Sequence, residues 1–485
     1  PVCCINMCLV ALRIFQPTKH CSGRADECGV RMCREVGLLI RKYQRVVPEN
    51  LWNRLSRNLI YDSKQVLLYC GVRVPERKKN GVTVDYSGFV EKITKGTNYG
   101  ILVDVITNRI HFQPEYIQDI IEQTTRFDFP VYDKSFGPGG IAGYVLQQGD
   151  SPEELEDPTL NHILQQAVIA KNSHMPFGYV CARQLSKFEV EQFSVMTRIF
   201  DGPIFFNVSS HVGVEEAQKH LQEDNFIITN HSLFDSPLTL TFMEKLEVFC
   251  ECVKKEIPVM LVTQPMSGQT APMTPYGLAV LAFSEFLAGM AMAYSINPQT
   301  RVINGAYPTM CTPGKNPRMK IGTVVHNFVN YLIAYTARLL DIDFMQYGCT
   351  MEGRQHEKTI LETDYETVRG MLLWENMFEG WHMIRHCYGF VSDLITFSFE
   401  KAEADIDALH HIQGLDENGI LAILANNIKL NRDYNRADEI YRKPTIIFDR
   451  EGGKIVEVIA ETMELFGNDF SKHDHTLKNI PQEWF

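Results

Sequence analysis

The side chains able to do chemistry recur at one kind of place in this sequence, just after short apolar runs. They are Tyr179, Arg183 and Gln184; Asn207, Ser209 and His211; Asn230 and His231; Gln264, Ser267 and Thr270; Asn304 and Tyr307; Gln346, Tyr347 and Cys349; and Tyr388 and Asp393. Amides and aromatics dominate, and carboxylates are scarce. The paired acids of a glycosidase are missing from the set, and HExxH, GxSxG and Walker motifs are missing from the chain. His211 and His231 have no second ligand at helical or loop spacing, so a hydrogen-bonding histidine is favoured over a metal ligand. Cys349 reads equally as a nucleophile or as a small apolar filler. The remaining chemistry is recognition: aromatic faces for a cation, with amides and an arginine for a polar end.

The elements that must position these residues alternate regularly from about Leu160 to His411. Strand candidates are FGYVCA, PIFFNV, NFIITN, PVMLVT, RVINGA, DFMQYG and YGFVSD, the last placed near Tyr388, and amphipathic helices lie between them. Such βα units imply a parallel sheet. An open doubly wound sheet remains the alternative, but so long a run favours a TIM (β/α)8 barrel of about 250 residues, with the missing strand indistinct or supplied from the flanking region. In a barrel the loops after the strands form the mouth. The break of PVMLVT into Gln264–Pro272, rich in turn formers, therefore marks a candidate site as well as a plain connector.

The remaining chain is read as a Cys-rich lead over 1–48, an N-terminal α/β region over 49–150, the barrel over 151–415 and a C-terminal extension over 416–485. The lead holds Cys3, Cys4, Cys8, Cys21, Cys28 and Cys33 without a CxxC pair. It is expected to be poorly ordered, a metal-binding segment being the alternative. Its apolar run VCCINMCLVALRIF is too short to span a membrane and has no basic residue ahead of it, so neither anchor nor signal peptide is expected. The Gly-rich SFGPGGIAGYVLQQGD does not open a helix after a strand, which argues against a nucleotide loop. A net charge of −12 without a basic stripe argues against nucleic acid as a partner. The cysteines from Cys70 onward sit singly among apolar residues, as reduced buried thiols do, and a cytoplasmic protein is expected.

Three stretches carry a family resemblance: PVMLVTQPMSGQTAPMTPYGLAVLAFSEFLAG, the preceding SLFDSPLTLTFMEKL and the following DFMQYGCT. With Gly268, Thr270, Ala271 and Pro272 at its centre, this region resembles the trimethylamine methyltransferase family, over roughly residues 50 to 410. The resemblance implies a TIM barrel whose mouth faces a separate corrinoid protein, and methyl transfer from an amine to Co(I) of that partner. It is similar to the branch without pyrrolysine, which acts on quaternary amines such as glycine betaine. GCTMEGRQHE, with Thr350, Met351, Glu352 and Gly353 after the Gly-Cys pair, departs from the usual family continuation.

On this reading Tyr179, Phe206, Tyr307 and Tyr347 are candidates to face the cation. Arg183, Asn207, His211, Asn230 and Gln264 are candidates for a carboxylate or hydroxyl, Gly268 and Thr270 shape the mouth, and Asn304 and Gln346 complete the rim. No catalytic residue is assigned. The chain shows no Asp-x-His-x-x-Gly signature and no zinc-thiolate motif, so corrinoid is expected on another protein and no metal on this one. A homo-oligomer is the expected assembly. Two other readings stay open: a barrel enzyme acting on another small polar metabolite without corrinoid, and a non-catalytic relative that binds a betaine or a partner.

Overall fold

The computed structural model describes residues 49–124, 135–136, 144–146, 155–175, 177–180, 188–222, 226–267, 269–272, 274–311, 319–320, 324–347, 383–391, 396–413, 446–448 and 454–457. The Cys-rich lead and most of the C-terminal extension lie outside them, as do Arg183, Gly268, Cys349, the 350–357 stretch and Asp393.

Helix α1 (Glu49–Tyr69) buries Leu55, Leu59, Val66 and Leu67, a stripe at helical spacing, and is followed by the buried Cys70. Gly71 turns the chain out of it at φ +62°, with its Cα so close to the Ile110 carbonyl that a Cβ would lie 2.5 Å from that oxygen. The chain continues through β1 (Val72–Arg73), α2 (Ser87–Thr94), β2 (Ile101–Asp104), β3 (Arg109–Phe112) and α3 (Pro114–Gln123). Then come β4 (Ser135–Phe136), β5 (Tyr144–Leu146) and α4 (Leu160–Asn172).

Next runs the alternation: β6 (Gly178–Val180), α5 (Glu189–Ile199), β7 (Ile204–Phe206), α6 (His211–Gln222), β8 (Ile227–His231), β9 (Phe234–Asp235), β10 (Thr239–Leu240), α7 (Met243–Lys254), β11 (Val259–Leu261), α8 (Pro275–Ile296), β12 (Val302–Asn304), α9 (Val324–Leu339), β13 (Met345–Tyr347) and β14 (Met383–Arg385). It closes with β15 (Phe390–Val391), β16 (Thr396–Ser398) and α10 (Phe399–Gln413).

Strands β6, β7, β8, β11 and β12 pair in that order, all parallel. A parallel bridge from Asn304 to Phe344, with the Asn304 amide donating to the Asp343 carbonyl at 2.8 Å, carries the order on to β13. β13 pairs parallel with β14, and β14 with β4. Eight parallel strands thus follow one another, from β6 round to β4. The strand from the flanking region is β4, and the last strand of the series begins at Met383 rather than at Tyr388. The pairs described do not include one between β4 and β6.

The two faces of this sheet separate two cores. Register places Tyr179 beside Phe205, Phe205 beside Ile228, Asn230 beside Met260 and Met260 beside Ile303. Phe177, Tyr179, Phe205, Ile228, Met260 and Ile303 form an inner cluster of their own. The alternate residues Val180, Phe206, Ile227, Val259, Leu261 and Val302 join the larger core with the helices.

Helix α8 is apolar on all sides, and every residue from Pro275 to Tyr294 is buried. Its length and composition alone would let it cross a membrane, but here α1, α2, α3, α7 and α9 surround it. Thr274 caps its start by accepting from the Gly277 amide at 3.2 Å, and Pro275 occupies its first turn. Two contacts seat α1 on it: the Tyr276 hydroxyl donates to Asp62 at 2.6 Å, and the Ser63 hydroxyl to the Val280 carbonyl at 3.3 Å. A third tie runs from the fully buried Glu285, whose carboxylate accepts from the Ser236 hydroxyl at 2.8 Å and the Leu238 amide at 2.9 Å. That fixes the β9–β10 loop, whose Thr239 pairs with Arg73 of the N-terminal sheet β9-β10-β1-β3-β2.

Candidate active site at the strand ends

The stretch after β11 leaves the strand without losing its pairing. The amides of Gly305, Tyr307 and Thr309 donate to the carbonyls of Leu261, Thr263 and Pro265, each at 2.9 Å, and the Ser267 amide to the Thr309 carbonyl at 2.9 Å. Residues 261–267 and 305–309 therefore rise together above the sheet as one raised rim. A turn ends it: Thr270 donates its amide to the Met266 carbonyl, while its hydroxyl accepts from the Met266 amide, both at 2.9 Å. Asn304 starts the matching rise, its side-chain oxygen accepting from the Ala306 amide at 2.9 Å.

Below this rim a guanidinium crosses the inner space. Arg385 ends β14 and is 1% exposed. One of its terminal nitrogens donates to the Gly305 carbonyl at 2.7 Å, and the other to the Tyr179 hydroxyl at 3.3 Å, with Met260 sulfur at 3.8 Å. Its carbon lies 5.0 Å from the centre of the Tyr307 ring, and the Tyr307 hydroxyl donates to the Gln264 oxygen at 2.5 Å. One side chain so ties strands β6, β11, β12 and β14. Gly305 is needed for the approach, since a Cβ there would lie 2.6 Å from Met260 Cγ.

His386 packs edge-on to Tyr179 at 5.7 Å and tilted to Phe390 at 4.9 Å. Burial first, then the Arg385 charge, hold its imidazole neutral, well below the usual histidine range. Asn230 sits beside Met260 on the inner face, 4% exposed, and neither polar atom of its side chain has a hydrogen-bond partner among the described residues.

The expected residues therefore divide. Tyr179, Asn230, Gln264 and Tyr307 converge with Arg385 and Met260. Thr270 and Asn304 shape the rim through their turns. Phe206 lies elsewhere: it faces the helices, stacked on Phe193 of α5 at 4.5 Å, because alternate residues of β7 point to opposite faces. His211 also lies elsewhere, exposed at the start of α6 with its Nδ1 in hydrogen-bond contact with the Glu251 carboxylate of α7. Asn207 is exposed, and its described contact is a backbone donation to the Val180 carbonyl at 2.9 Å. Gln346 and Tyr347 are in β13, their side chains outside the described set, and Arg183 and Gly268 are outside the described residues. His231 is in the outer core against Phe249, its hydroxyl partner Thr229 at 2.9 Å, and burial drops it to about 3.

Two residues escape a sequence reading. Arg385, in HMIRHCYGF, stands three residues ahead of Tyr388, where that reading begins its last strand. Glu189 opens α5 at this end of the sheet and is 6% exposed. It is a capping acid: its oxygens accept from the Ser209 amide at 2.8 Å and from the Ser209 and Ser210 hydroxyls. A cleft of about 320 Å³ lined by Arg198, Lys219 and His220 opens at the opposite end, beside Ile204.

The arrangement brings rings, amides and a fixed positive charge together at one end of the strands. The family model described as trimethylamine methyltransferase matches residues 173–428, more than half the chain. A curated relative, the glycine betaine methyltransferase of Desulfitobacterium hafniense (strain Y51), is 27% identical over 169 residues, covering 33% of this chain and 34% of that protein. The match thus spans about a third of the relative's length. Among solved structures, the hydroxylamine complex of MtmB is similar at 10% identity and a TM-score of 0.44, covering 88% of this chain and 92% of its own. The 7,8-dihydropteroate synthase of Vibrio fischeri ES114 is similar at 15% identity and a TM-score of 0.33, covering 59% and 95%. By the family match, the chain belongs to the trimethylamine methyltransferase family.

Proposed function

We propose that the chain is a methyltransferase moving a methyl group from a quaternary, betaine-like amine to a separate corrinoid protein. The observation that carries the reading is the convergence of Tyr179, Asn230, Gln264, Tyr307 and Arg385 at one end of eight parallel strands. On this reading the eight strands close as a TIM barrel between β4 and β6, and the raised rim 261–267 with 305–309 is the lip that the partner meets.

Removing a methyl group from a quaternary ammonium breaks one C–N bond, and the electron pair leaves with a neutral tertiary amine. No proton is needed by the leaving group. The Co(I) corrinoid of the partner supplies the nucleophile that takes the methyl cation. What this chain has to supply is position and a water-poor surrounding. The site matches that demand: its groups are rings, amides, a thioether and a guanidinium, while the nearby acid Glu189 is engaged as a cap. The partner, the quaternary amine and a cytoplasmic homo-oligomer belong to the same reading.

The test mixes purified protein with a reduced corrinoid protein encoded beside it and a panel of quaternary amines, following the cobalt absorbance. Amine-dependent loss of the Co(I) spectrum supports the reading. No change with any amine, from a partner shown to accept methyl groups from another donor, overturns it.

A further inference from the structure

Resting on the homo-oligomer named with that proposed function, we infer that the free edge of β2 is its interface. There β2 of one copy pairs antiparallel with β2 of a second copy, joining their N-terminal sheets across a twofold axis. The sheet β9-β10-β1-β3-β2 ends at β2. Its register on β3 sets Ile101 by Phe112, Leu102 by His111, Val103 by Ile110 and Asp104 by Arg109, and the Gln113 amide donates to the Gly100 carbonyl at 2.9 Å. In an antiparallel ladder alternate pairs exchange the bonds, so Leu102 and Asp104 bond inward to β3. The N–H and C=O groups of Ile101 and Val103 are left at the open edge. On the far side of β3 the Asn108 carbonyl accepts from the Val74 amide at 2.8 Å, which fixes the same alternation.

The surface along this edge is apolar even in its turn, where polar residues ordinarily dominate. The stretch YGILVDVITN, residues 99–108, carries one charge, Asp104, whose carboxylate accepts from the Ile106 amide at 2.9 Å and the Thr107 hydroxyl at 2.6 Å. Tyr99, Val105 and Ile106 are 85%, 80% and 91% exposed, and Leu102 and Val103 are exposed as well. An apolar edge strand without proline, and with its one acid engaged in its own turn, is a template for another strand.

Register and charge select a second copy of this chain as that strand. One antiparallel register uses all the free groups of both copies: Ile101 opposite Val103 of the other, with Leu102 facing Leu102 at the axis. A shift by a residue pair sets one of them against Tyr99 or Val105, outside the strand. The favoured register puts Asp104 opposite Gly100, so no acids oppose each other, and brings Tyr99 of each copy level with Val105 of the other. The exposed side chains at both ends of the edge are then covered by one pairing. Copies of a chain with a net charge of −12 repel one another, and this stretch offers them a contact almost free of acid. The strand is short, so the contact falls below about 1,200 Å² in total and should dissociate on dilution through the micromolar range.

The test is sedimentation velocity of the full chain from low micromolar to a few hundred micromolar protein. Wild type should associate across that range. Leu102→Lys sets like charges face to face at the axis and should weaken association about tenfold or more. Val103→Pro deletes an N–H turned to the open edge and should do the same. Mixing Leu102→Lys with Leu102→Glu should restore an association that neither shows alone, as self-pairing requires. Wild type that stays monomeric, or Leu102→Lys that associates like wild type, overturns the inference. So does Leu102→Lys that keeps its association and loses only the corrinoid protein, since the edge would then belong to that partner. The methyl-cobalt assay separates the two claims. Edge-dependent association without methyl transfer sinks the methyltransferase reading alone, and methyl transfer by a wild type that is monomeric at every concentration sinks the interface and leaves the chemistry.

Discussion

Arg385 reaches across the inner face of the sheet to hold the carbonyl of Gly305 at 2.7 Å, joining β14 to the rim that follows β11 and β12. The contact exists because Gly305 has no side chain. Substituting Gly305→Ala places a Cβ 2.6 Å from Met260 Cγ, 2.9 Å from its sulfur and 3.1 Å from the Leu261 carbonyl. Met260 can shift but the carbonyl cannot. The variant is expected to lose about 1–3 kcal/mol in urea denaturation and to raise KM for the amine. Unchanged stability and KM would show that Arg385 has another equivalent anchor.

The Tyr307 hydroxyl gives a narrower test. Tyr307→Phe keeps the ring beside Arg385 and deletes one hydrogen bond to Gln264. It is expected to cost about 0.5–1.5 kcal/mol of stability while sparing betaine binding. Tyr307→Leu also removes the ring and should weaken glycine betaine binding measured by calorimetric titration. Equal binding by both variants would mean that the ring does not position Arg385.

Glu285 is predicted to matter for the fold rather than the chemistry. Both of its oxygens accept, from Ser236 and from the Leu238 amide, in a fully buried setting. Glu285→Gln keeps the shape but replaces one carboxylate oxygen with a donor, so the Ser236 hydroxyl must turn from donor to acceptor and the Leu238 bond loses its charge assistance. A loss of about 1–3 kcal/mol is expected, with kcat for the surviving folded enzyme unchanged. A kcat that falls while the melting temperature holds would contradict this assignment.

The strands near 178, 204, 227, 259, 302 and 345 were legible because apolar runs alternated with helical patterns at even spacing. Which face each strand residue takes was not. Ile204, Phe205 and Phe206 are all buried, as expected where both faces of a parallel sheet are covered, so no polar alternation separates Phe205 inside from Phe206 outside. β4 has two residues and leaves no periodicity to find. Arg385 was hidden for a different reason: it ends the run TDYETVRGMLLWENMFEGWHMIR, whose pattern reads as an amphipathic helix, whereas Met383–Arg385 form a strand. Only strand pairing brings it under Tyr307. Asn230 and Gln264 were legible as strand-end residues because strand position alone puts them there.

Asp62 yields a prediction in pH. It sits in α1 against α8, 4% exposed, and burial pushes its carboxyl up to about 6, with the Tyr276 hydroxyl pulling the other way. The unfolded chain has this group near 3.8, so between those values the folded protein holds the extra proton. Its stabilising contribution is then complete below about pH 4 and lost as pH rises through about 6, by at most about 3 kcal/mol. Asp62→Asn cannot ionise and still accepts from Tyr276. Urea midpoints of the two proteins should therefore nearly coincide near pH 4 and separate by pH 7, with the asparagine variant the more stable. Parallel midpoints across that range would mean that the Tyr276 hydroxyl, not burial, governs the carboxylate, and that α1 docks on α8 with Asp62 charged throughout.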